Sequence, residues 1–167
     1  MRARSRAIAK RADTQAVLAA DQASSDDELA AYCPDLDQWP SSWMYEDRDV
    51  ASGRQMVERF KPFLRHLLNR GLSRKTLRQH RDNLWLLGGE LIRDLHESPR
   101  LRKRSIDQVV LQALDDEGGP LICHGAAEHQ QRSFDATCRK FYRFLKADNS
   151  SQTASSQTAG LWTCGQR

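Results

Sequence analysis

Long apolar runs are missing from this chain. None approaches the ~20 consecutive residues that a bilayer-spanning helix needs, and a soluble protein is expected. The N-terminus also lacks an apolar signal core, which argues against export. Its Arg-rich, acid-poor opening has the composition of a mitochondrial presequence, but a basic DNA-contacting arm has the same make-up. Cysteines are few and scattered: Cys33, Cys123, Cys138 and Cys164 form no CxxC pair. That spacing points to reduced thiols in the cytoplasm, not to a disulfide frame or a zinc knuckle. Cys123, His124, His129 and Cys138 are the sole cluster of metal-ligand residue types, and they fit no zinc spacing. Neither a metal nor a cofactor is expected. Aromatics make up only 7 % of 167 residues, so the grouping of Trp39, Trp43 and Tyr45 stands out.

What the chain has in quantity is charge, sorted into blocks. The net +4 conceals five cations and no acid in residues 1–12, then ten acids against Arg48 alone in 13–49. Residues 50–104 return fourteen cations against five acids, and the remainder is close to neutral. Such sorting fits a basic surface for a polyanion beside an acidic segment that competes for it. A solvated acidic loop next to a soluble helix produces the same pattern.

Apolar periodicity predicts an all-α fold, a compact bundle of four to five helices with flexible N- and C-terminal tails. Residues 5–22 are Ala-rich and helix-prone but carry little apolar surface. Residues 24–49 read as an acidic extension holding Pro34 and Pro40. Within it Trp39, Trp43 and Tyr45 either clamp a loop onto the domain or form a partner-binding peptide. The first firm helix runs from about Gly53 to Arg70, with Pro62 expected to kink or split it and Gly71 to stop it. Ser73 caps a second helix reaching about His96, and Gly88-Gly89 inside it implies that a neighbouring backbone approaches closely. A capping box at Ser105 and Gln108 opens a third helix to about Asp116, and the last spans about Ala126 to Lys146. The expected division is a basic arm and acidic extension over 1–49, a helical domain over 50–147, and a low-complexity tail over 148–167. In that tail Ser150-Ser-Gln-Thr-Ala154 is repeated at once, and it buries too little to fold.

The start of the second helix carries the chemistry. A helix N-terminus presents free backbone N–H groups and partial positive charge, and here Ser73, Arg74, Lys75, Thr76, Arg78 and Arg81 surround it. Phosphate is the matching guest. A loop with Arg100, Arg102, Lys103 and Arg104, and a helix face with Arg132, Arg139, Arg143 and Lys146, add candidate duplex-DNA contacts. Exposed Lys and Arg also form merely solvated faces.

The run Leu67-Leu68-Asn69-Arg70-Gly71-Leu72-Ser73, followed by Lys75-Thr76-Leu77, His80 and Leu84, resembles the N-terminal core-binding domain of tyrosine recombinases and phage integrases. The likeness covers about residues 53–147. Thr76 to Glu90 and Gln131 to Leu145 also resemble uncharacterised bacterial proteins that carry such a domain alone. The resemblance implies a SAM-like bundle forming half of a clamp around DNA, with Ser73, Arg74, Lys75, Thr76 and Arg78 in or beside the major groove. It further implies a role in DNA integration or recombination at mobile-element sites, nucleoid association, and a separately encoded recombinase as partner. The recombinases also need a second domain with an Arg, a Lys, a His-x-x-Arg pair and a Tyr nucleophile. This sequence offers only His129-x-x-Arg132 and Tyr142 on one predicted helix, so catalysis is not expected. The alternative reading is a helical interaction adaptor using the Trp39/Trp43 segment.

Overall fold

A computed structural model describes residues 26–122 and 126–158 of the chain. Those residues form six helices and no strand: α1 over 26–32, α2 (Trp39–Trp43), α3 (Asp47–Leu68), α4 (Arg74–Glu97), α5 (Ile106–Gln112) and α6 (Glu128–Thr158). Short 3-10 turns at Leu36–Gln38 and Leu101–Lys103 link them. The all-α bundle expected from periodicity is thus the observed architecture. The basic arm, the Ala-rich stretch over 5–22, and Leu161, Trp162 and Cys164 lie outside the described residues.

Two long helices carry the core. α3 begins earlier than expected because Glu46 and Asp49 form a capping box. The Asp49 carboxylate accepts from the backbone N–H groups of Glu46 at 2.9 Å and Tyr45 at 3.0 Å. Met56, Phe60, Phe63, Leu64 and Leu67 then bury one stripe. Pro62 neither splits nor ends the helix; its ring is exposed, and Phe60 and Phe63 anchor the turns on either side. Gly71 closes the segment at φ +63°, a conformation that costs a side-chain-bearing residue about 1–2 kcal/mol. On α4, Leu77, Leu84, Leu87, Leu91 and Leu95 supply the facing stripe.

The acidic segment is part of this core, which moves the domain boundary back from residue 50. Leu29, Cys33, Leu36, Trp39 and Trp43 are buried with the α3 and α4 stripes, while Asp26, Asp27, Glu28 and Asp37 face outward. The segment is amphipathic, so its charge marks an outer face and not a loop. Trp39 and Trp43 are only 2 % and 5 % exposed, which overturns their assignment to a partner-binding surface. Burial of rings this large outweighs any role they could play in water. Trp39 Nε1 donates to Asp35 at 3.2 Å, and the Trp43 ring lies on Gly88. A Cβ on Gly88 would stand 2.3 Å from that ring, so the close neighbour is an indole and not a backbone.

α5 stops at Gln112, short of Asp116, because the Asp115 carboxylate accepts from the N–H groups of Glu117 and Gly118, both at 2.8 Å. Such local side-chain bonds compete with helix. α6 departs the other way, continuing to Thr158 through the stretch expected to be a structureless tail. No Gly or Pro lies between 126 and 159 to interrupt it.

Candidate nucleic-acid interface

Ser73 Oγ accepts from the Thr76 N–H at 3.2 Å and lies 2.9 Å from Thr76 Oγ1, which fixes where α4 begins. Arg74, Lys75 and Arg78 follow directly, all exposed and in no ion pair with a described residue. No acid occupies the first turn. Lys75 and Arg78 line a groove of about 610 Å³ between α4 and the start of α6, where Asp82 is the one carboxylate. Around the same end of the bundle, Arg70, Lys140 and Arg143 ring a second groove of about 350 Å³ with Phe63, Leu67 and Phe144 on its floor. No carboxylate lines that one. Arg70 and Lys140 escaped sequence reasoning. Arg70 lies in the turn after α3 and Lys140 on α6, and only the packing of α3, α4 and α6 makes them neighbours.

A polar seam holds α6 against α4. Asn83 Nδ2 donates to Ser133 O at 3.0 Å and Thr137 Oγ1 at 2.8 Å, and Gln79 Nε2 donates to Ser133 Oγ at 2.5 Å. His80 Nδ1 lies 2.8 Å from Thr137 Oγ1, and its Nε2 lies 3.0 Å from Lys140 Nζ. Residue numbers fall on α4 as they rise on α6, so the two helices run antiparallel. An ammonium only donates, so Nε2 must accept, the proton sits on Nδ1, and Thr137 Oγ1 receives it. Burial, with the Lys140 charge added, lowers the His80 pKa to about 4, and the ring is neutral at ordinary pH. Lys140 is thereby held against α4.

Other predicted contacts do not join this end. Arg81 binds Asp82 of its own helix at 2.7 Å; burial disfavours its charge, but Asp82 more than compensates and raises its pKa. Arg102 reaches the fully buried Asp49 at 2.5 Å and is a structural tie. Burial opposes ionisation of Asp49, but the Arg102 bond and two backbone N–H groups outweigh it and hold the carboxyl below its usual range. Arg102 therefore leaves the list of DNA contacts. Arg100, Lys103 and Arg104 accompany it beyond the far end of α4, some ~36 Å of helix away. Arg104 donates to Gln112. On α6, Arg132 faces Glu128 at 3.5 Å, Arg139 donates to Glu117 O at 2.7 Å, and Lys146 lies over the Tyr142 ring at 4.7 Å. Of that predicted face, Arg143 alone lines the basic end.

Tyr142 stands about 15 Å along the α6 axis from Arg132. Among the described residues no cluster of His, Cys, Asp and Glu could hold a metal ion, and no helix is long and apolar enough to cross a membrane. Residues Cys123 and His124 lie outside the described chain. No family model, curated protein or solved structure matches the sequence. The arrangement itself is one of solvated cations from α4, α6 and the turn after α3, gathered around the Ser73-capped start of α4. Such a surface suits a repeating anion.

Proposed function

We propose that the protein is a non-catalytic duplex-DNA-binding module that contacts the phosphate backbone through the start of α4. The carrying observation is that Arg74, Lys75 and Arg78 are exposed together, without carboxylate partners among the described residues, beside Arg70, Lys140 and Arg143. These cations position the duplex, and a guanine edge is within the repertoire of Arg74 or Arg78. The resemblance to the core-binding domain of tyrosine recombinases supports the same reading. It adds recombination or mobile-element sites as the setting and a separately encoded recombinase as the natural companion.

A salt titration on mixed-sequence duplex DNA tests this. With about five phosphates neutralised, log affinity should fall against log salt with a slope of about −4 to −5. The triple variant Arg74→Ala/Lys75→Ala/Arg78→Ala should flatten the slope by about 2–3 while keeping the helical circular-dichroism signal. Absence of binding near 50 mM salt, or an unaltered slope in the variant, would sink the reading.

A further inference from the structure

The middle of α4 presents a different surface. Met44, Tyr45 and Trp85 are 48 %, 58 % and 39 % exposed, and they are three of the four large apolar side chains left open among the described residues. All three line one groove of about 440 Å³ over Gly89. Tyr45 is held by stacking on His96 at 4.7 Å, and Trp85 by donation from Nε1 to Ser42 Oγ at 3.1 Å. They are fixed in place while wet, as rings at contact surfaces are.

The rim of this groove is acidic. Arg93 is shared by Glu90 at 2.5 Å and by Asp94 and Glu97 at 3.7 Å each. Burial pushes the Asp94 carboxyl above its usual range; Arg93 opposes this and Glu97 adds to it. Glu46, next in sequence to Tyr45, lies 3.2 Å from His96 and is paired with Arg48 at 2.9 Å. In the following turn, Arg102 is committed to buried Asp49. Beyond Trp85, α4 thus carries Glu90, Asp94 and Glu97 against Arg93, while residues 74–81 carry four cations and no acid.

We propose that the groove bounded by Met44, Tyr45 and Trp85 docks a cationic peptide segment of a partner protein, one that places an apolar side chain between basic residues. The apolar residue fills the space between the three side chains, and its flanking cations meet Asp94 and Glu97, which share Arg93 at the groove's edge. Because Trp85 stands about 16 Å along the α4 axis from Arg74, the segment and an anion bind at once. The proposal does not depend on what the Arg74 end binds.

The chain has three methionines, Met1, Met44 and Met56, and Met56 is fully buried. Full-length protein carrying carbon-13 methyl labels on methionine is titrated with an amidated decapeptide of Lys-Arg pairs separated by Leu. The Met44 methyl should shift saturably while the Met56 methyl stays still. Asp94→Lys/Glu97→Lys should weaken the response at least tenfold, and Trp85→Ala should abolish saturation with the Met56 signal unchanged. A control peptide with Glu for each cation should give no shift. Equal response to the acidic peptide, or none to either at millimolar concentration, overturns the proposal. So does a Met44 signal that moves with protein concentration, which marks a second copy as the occupant. A Met44 shift caused by deleting residues 1–12 with no peptide present assigns the groove to the chain's own basic arm and equally overturns it.

Discussion

The two adjacent glycines of α4 make a matched experiment. At Gly88 an added methyl would meet the Trp43 ring at 2.3 Å, whereas at Gly89 the nearest ring atom is 3.4 Å away, an ordinary contact. Gly88→Ala should therefore destabilise by about 1–3 kcal/mol despite the better helix propensity of Ala. Gly89→Ala should be neutral or stabilising by up to about 1 kcal/mol. Urea melts of the two variants check both signs. That some group crowds this pair was legible in the sequence, since Gly mid-helix is otherwise costly. Which group was not legible, because Trp43 lies far away along the chain and its ring had a plausible alternative life on the surface.

α4 is built against its own dipole. Cations are unfavourable at a helix N-terminus and acids at a C-terminus, but Arg74, Lys75 and Arg78 occupy the first turns and Asp94 and Glu97 the last. The apolar stripe and the Ser73 cap must carry that penalty. Arg74→Glu/Lys75→Glu should then raise stability by about 0.5–1.5 kcal/mol and the melting midpoint by a few degrees, while abolishing duplex binding. A calorimetric scan beside an electrophoretic shift reads both. The limits of α4 could be read almost to the residue, because cap and stripe are local signals. The length of α6 could not. Low complexity marks a segment that buries little, and it says nothing against a helix that lacks breakers. The loss of Arg102 and Arg81 from the basic surface was also invisible, since their charge balance is decided by how Asp49 and Asp82 are placed in the folded chain.

For the whole molecule, the seam between α4 and α6 sets the response to acid. His80 is neutral in the fold, with a pKa of about 4 against 6.5 when free, so the unfolded chain takes up the proton first. Stability should fall as pH drops from about 6.5 toward 4, and the full penalty is present below that window. Lys140→Met removes one of the two causes, so it should move the imidazole titration upward in NMR and shallow the slope. The bundle, its helix order and the basic start of α4 were all within reach of pattern and charge. The grouping of Arg70, Lys140 and Arg143 was not, because it depends on which helices become neighbours. Nor was the role of residues 26–49, whose acids hide an apolar inner face. That inner face has a practical corollary. A cut made where net charge changes sign would extract an indole from its slot above Gly88 and bare the leucines of two long rods. The negatively charged stretch is a clasp on the bundle, and the protein should lose it only by coming apart.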